Sequence, residues 1–172
     1  GWWHQTDGFG GENGSSLHDA FIKVNDDVVK VYRDNQRFSN LVIYKQINGA
    51  AFQLGWTAYG SATNCKVWDI YFVKDDDKTP GATSNTAVFS LVNNGGSTIR
   101  NNSFERIYIE NNVQRTIGIK VQGGSLEGLT VNDLYHRGQD NAGNYLIAEG
   151  GGFIKGISFL RNYYGEDCME SK

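Results

Sequence analysis

Apolar residues recur at every second position along short segments of this chain, and the segments themselves recur. Phe38, Leu41 and Ile43 alternate with polar neighbours, with Asn40 shifting the phase. The arrangement returns at Val67, Asp69, Ile70 and Phe72, and again at Phe104, Arg106, Ile107 and Ile109. Two further copies read as Leu126, Gly128, Leu129 and Val131, and as Ile154, Gly156, Ile157 and Phe159. Alternation of this kind is the mark of a half-buried strand. The anchors Leu41, Ile70, Ile107, Leu129 and Ile157 stand about 22 to 37 residues apart, the interval of solenoid coils whose longer members carry insertions.

A second set of short strands is predicted between these copies, at residues 28–32, 51–54, 88–91, 117–121 and 145–148. Two or three strands per coil, joined by Gly and Asn turns, predict an all-β chain folded as a right-handed parallel β-helix of about five or more coils. A sandwich would place turns about every 8–12 residues and show no long-range echo. Residues 1–165 form the β-helix domain in this reading, and 166–172 a polar tail. Only residues 16–21 carry a weak helical pattern. A coil cannot bury its own inner face, so its neighbours must cover it. An uncovered end exposes unpaired backbone and predicts self-association there.

Composition narrows the partners. With 22 Gly and one Pro in 172 residues, tight turns are favoured over disorder. The net charge of −3 offers no attraction to nucleic acid. No apolar run approaches the roughly 20 residues that span a membrane. The charged run 74–81 reads as a solvated loop, and Gly95-Gly96 and Gly150-Gly151-Gly152 as turns. His4, His18 and His136 lack ligand spacing, so neither metal nor cofactor is expected. Cys65 and Cys168 lie far apart, as a buried thiol and a tail thiol or as a pair.

The candidate chemistry lies in Gln5-Thr6-Asp7-Gly8 and Asn25-Asp26-Asp27. About one coil separates Asp7 from Asp26 and Asp27, so adjacent rungs can present them together. Cleaving a glycosidic bond needs one carboxyl group to protonate the leaving oxygen and another to activate water or attack carbon. Crowded carboxylates raise one another's pKa, which keeps one protonated near neutrality. The inward positions change from Ile22 and Val24 to Val29 and Val31, which predicts a bulge at Asp26-Asp27 that turns both side chains outward. The plainer alternative is that these are turn residues. Trp3 and Trp56 flank the cluster as sugar platforms. Lys120 stands on an outward strand position, as a donor to a sugar hydroxyl or as a solvated cation. Trp68 and Tyr71 read as core or sheet-face residues.

The segments running from Trp3 through Asp7-Gly8, from Phe21 through Asn25-Asp26-Asp27 to Tyr32, and from Phe52 to Trp56 resemble glycoside hydrolase family 49, the dextranases and isopullulanase. A looser similarity to polygalacturonases lacks their Gly-His-Gly, since Leu54-Gly55-Trp56 stands there. The resemblance implies an extracellular, inverting hydrolase of an α-glucan of the dextran or pullulan class. It makes Asp26 the general acid, with Asp7 and Asp27 as candidates to activate water. An inverting pair stands roughly 6.5–9.5 Å apart, which coils stacked about 4.8 Å apart would reach by a two-coil or diagonal offset. Family members are longer and carry a β-sandwich domain before the β-helix, so this sequence is expected to be a fragment. The alternative is a non-catalytic β-helix acting as a glycan-binding, adhesion or tailspike-like module.

Overall fold

The computed structural model describes residues 5–56, 61–75, 86–92 and 95–165, which form strands, turns and irregular segments without a helix. One sheet runs in the order β1 (Phe9–Gly10), β3 (Val29–Lys30), β5 (Phe52–Gln53), β7 (Phe89–Leu91), β10 (Ile117–Gln122) and β13 (Tyr145–Glu149). A second contains β2 (Ser16–Val24), β4 (Arg37–Lys45), β6 (Lys66–Asp75), β9 (Ser103–Ile109), β12 (Thr130–His136) and β15 (Ser158–Leu160), with β16 (Tyr163–Tyr164) also on β12. A third, smaller sheet holds β8 (Thr98–Arg100), β11 (Ser125–Glu127) and β14 (Phe153–Lys155). The strand pairings are parallel, and the chain visits the sheets in turn. This arrangement is consistent with a parallel β-helix.

The sheets face one another across a single apolar core. Phe104 joins two of them, its ring 5.5 Å from that of Phe52 and 4.7 Å from that of Phe89. Burying each such side chain contributes about 1.5–3 kcal/mol. On the outer face of the second sheet, Tyr71, Tyr108, Tyr135 and Tyr163 stack in register, with centroids 5.9, 5.1 and 4.9 Å apart.

Left-handed residues form two columns, the first at corners and the second largely within the strands of the second sheet. Gly14, Asn35, Asn64, Asn101, Gly128 and Gly156 form one, and Asp19, Asn40, Asp69, Arg106, Asp133 and Arg161 the other. Asn and Asp tolerate this conformation better than most residues. The two arginines are tied by paired hydrogen bonds to the neighbouring rung, Arg106 to Asp69 and Arg161 to Asp133.

These columns correct the last two repeat copies. Val131 pairs with Phe104 and Leu134 with Ile107, so Leu134, not Leu129, continues the series Leu41, Ile70, Ile107. Gly128 and Gly156 belong to the other column, whose local pattern looks the same. Residues 16–21 are strand, not helix. The left-handed Asp19 places Leu17 and Ala20 opposite Phe38 and Leu41, and this three-residue step imitates a helical one. Of the charged run 74–81, Lys74 and Asp75 belong to β6, and the Asp75 side chain is only 2% exposed. Cys65 is a buried free thiol. Cys168, residues 76–81 and the tail 166–172 lie outside the described residues.

Candidate active site

Asp7 leads into β1, and Asp27 into β3. The Gly8 N–H donates to the Asp27 carbonyl at 2.8 Å and the Phe9 N–H to the Val28 carbonyl at 2.9 Å. Asp7 and Asp27 therefore occupy adjacent rungs, with Asp26 beside them and its N–H donating to the Thr6 carbonyl at 3.1 Å. One carboxylate oxygen from each of the three lies within 4.8 Å of those of the other two. The adjacent rungs are those the one-coil spacing implied, with no two-coil offset between the carboxylates.

No bulge produces this convergence. β2 ends at Val24 and β3 begins at Val29, so Asp26 and Asp27 sit at a corner between two sheets. The inward positions change there because the chain changes sheets. Nor do both side chains face out: Asp26 is half-buried and Asp27 is buried.

Each carboxylate has its own surroundings. Asp7 is exposed and pairs with Lys30, Nζ to Oδ2 being 2.5 Å. Asp26 accepts from Asn48 Nδ2 at 3.1 Å and from the Asp27 N–H at 3.0 Å. Burial, and then the negative charge of Asp7, raises its pKa above the ordinary carboxylate value. Asp27 accepts from the Ala50 N–H at 2.9 Å. Burial outweighs that bond and pushes its carboxyl up to about 6. Burial, reinforced by Asp27, Asp7 and Asp26, also pushes the Tyr32 phenol up, so it stays neutral and able to donate.

Trp56 lines the same cleft, of about 490 Å³, together with Gln5, Tyr32, Asn48 and Lys30. Trp56 is 40% exposed, which leaves surface for a ligand to pack on. Lys120 is not at this cleft. It lies on β10, separated from β3 by β5 and β7, and pairs with Glu149 at 2.9 Å. Trp3 lies outside the described residues. The sequence reading missed Lys30, Tyr32 and Asn48. Lys30 carried a signal, because it stands beside the phase change, whereas Asn48-Gly49 resembled any other turn. Three crowded carboxylates could also attract a cation, but their described neighbours are an ammonium and hydrogen-bond donors.

The parallel sheets and the carboxylate cleft together define a β scaffold with a centre suited to acid–base chemistry. The chain is similar to three dextranases. It is 43% identical over 56 residues to that of Arthrobacter sp. (strain CB-8) and 41% over 56 residues to that of Arthrobacter globiformis. It is 41% identical over 54 residues to that of Talaromyces minioluteus. These matches cover 31–33% of this chain, and the chain spans only 9% of the length of each relative. No protein-family profile matches the chain.

Proposed function

We propose that this chain carries the acid–base centre of a glycoside hydrolase that cleaves an α-glucan of the dextran or pullulan class. The observation that carries this reading is the convergence of Asp7, Asp26 and Asp27 in one cleft beside Trp56. Asp26 is the general acid by the family resemblance, and its half-buried carboxyl lines the cleft. Asp7 and Asp27 are the two candidates to activate water. Trp56 offers a ring face to the sugar, and Tyr32 and Gln5 offer hydrogen bonds. The substrate is a polymer, so the enzyme acts outside the cell. The scaffold is a right-handed parallel β-helix of five or more coils.

Dextran and pullulan incubated with the wild-type chain and with Asp26→Asn test this reading. Loss of the acid is expected to reduce sugar release about 10²–10⁴-fold. Equal release from both proteins would remove Asp26 from the mechanism. Glycan binding without turnover would favour the non-catalytic alternative. Inversion follows from the family resemblance and not from spacing, since one oxygen of each carboxylate lies within 4.8 Å of the others, closer than the roughly 6.5–9.5 Å of inverting pairs. Proton NMR of the first product decides it: inversion of an α-linkage releases a β reducing end, and an α end would make the reaction retaining.

A further inference from the structure

The acid cluster rests on a turn that a buried ion pair holds from within. Lys45 ends β4 with its side chain 1% exposed, and its Nζ lies 2.9 Å from Oδ1 of Asp75, which is 2% exposed. A buried ammonium is costly unless paired and hydrogen-bonded. Nζ also donates to the carbonyls of Gln46 and Asn48, each at 3.4 Å. Both carbonyls belong to the turn 46–50 between β4 and β5.

The register of the sheet is altered to make this pair. Ile43 opposes Phe72, but Tyr44 opposes Lys74 and Lys45 opposes Asp75, so Val73 is the extra residue of a bulge. Uninterrupted pairing would set Lys45 against Lys74, two like charges on adjacent strands. Asn111 Nδ2 donates to the Val73 carbonyl at 2.8 Å and the Gln114 N–H to Asp75 Oδ2 at 3.3 Å, holding the bulge and the carboxylate in place.

The same turn addresses both buried members of the acid cluster. Asn48 Nδ2 donates to Asp26, and the Ala50 N–H to Asp27. Between them Gly49 adopts φ +72°, and a Cβ there would come within 2.4 Å of the Asp27 nitrogen. The turn is thus pressed against the peptide that joins the two aspartates.

We propose that the Lys45–Asp75 ion pair is a positioning device for the acid cluster. By fixing the carbonyls of Gln46 and Asn48, it aims the Asn48 amide at Asp26 and the Ala50 N–H at Asp27. The geometry stands alone; the consequence for turnover rests on the hydrolase reading. The other charged or titratable groups at the cluster are Asp7, Lys30 and Tyr32. Both donors favour the ionised carboxylates. With the cleft still closed to water, loss of these two donors makes Asp26 and Asp27 titrate at higher pH.

Lys45→Met takes the Lys45 ammonium away from the buried Asp75 carboxylate and can unfold the chain. The deciding variant is therefore Lys45→Met with Asp75→Leu, which exchanges the pair for apolar side chains of similar volume, checked for a native far-UV circular dichroism spectrum. Carbon-13 NMR titration of the aspartate carboxyls is expected to give higher midpoints for Asp26 and Asp27 than in wild type. On dextran, kcat is expected to fall about tenfold to a hundredfold, with KM little changed and the pH optimum moved upward. Unchanged midpoints in the folded double variant would overturn the proposal and leave the pair a purely structural element. The midpoints are read without substrate, so a wild-type chain that shows no turnover counts against the hydrolase reading alone.

Discussion

Asp27 is where burial and charge conflict most strongly. It is 6% exposed, and burial lifts its carboxyl to about 6 against the pull of the Ala50 N–H. Between the ordinary carboxylate value and about 6, the folded chain holds a proton that the unfolded chain has released. The stability linked to this proton is complete below about pH 4 and is lost as pH rises through about 6. Asp27→Asn keeps an oxygen for Ala50 and removes the charge. Above pH 7 it is expected to be more stable than wild type by about 2–3 kcal/mol, with the difference vanishing near the ordinary carboxylate pKa. Denaturant melts across that range check this, and a gain independent of pH would rule out ionisation as its cause. Lys30 works in the opposite direction. Its ammonium pairs with Asp7 and lowers the pKa of both Asp26 and Asp27. Lys30→Met is therefore expected to move the acidic limb of the pH–rate profile upward and to lower kcat. An unmoved limb would mean that Lys30 serves the substrate instead.

At the level of elements, the turn 46–50 decides whether the aspartates are held. Gly49→Ala forces a side chain into a left-handed position and against the Asp26–Asp27 peptide, with contacts of 2.4 and 2.5 Å. The expected cost is about 2–4 kcal/mol, together with loss of turnover. A melt unchanged from wild type would show that the turn can move aside freely. This position also shows what could be read from sequence. Strand alternation was visible in β4, β6 and β9, where Asn40, Asp69 and Arg106 shift its phase within the strand. It failed at left-handed residues, because a Gly or Asn that turns a corner and one that shifts the phase within a strand leave the same local pattern. Asp7, Asp26 and Asp27 could be grouped because one coil of chain separates them. Their sheltering turn could not, because Asn48, Gly49 and Ala50 acquire meaning only when the next rung stacks beneath them. Asp75 misled for a related reason. It stands in an acidic run, and only the bulge at Val73 turns it inward to Lys45.

Taken whole, the molecule is a stack whose two ends differ. Among the described residues, β13, β14 and β15 each pair along one edge only, with β10, β11 and β12 respectively. Leu146, Ile147, Phe153, Phe159 and Leu160 are exposed on that last rung. Unpaired parallel edges beside apolar side chains form a template for another chain. At the opposite end β1 and β2 also pair along one edge only among the described residues, and Phe21 is exposed, but there the acidic cleft brings the charges of Asp7 and Lys30. Association of this chain should therefore run through the rung of β13, β14 and β15 and leave the cleft open. Sedimentation over a range of concentrations is expected to show wild type associating. Ile147→Lys with Leu160→Lys should shift it toward monomer, because like charges on stacked edges repel and must be desolvated. Sugar release per chain should be unchanged by these substitutions. If the double variant associates as wild type does, the contact lies elsewhere, and a parallel loss of turnover would place it at the cleft.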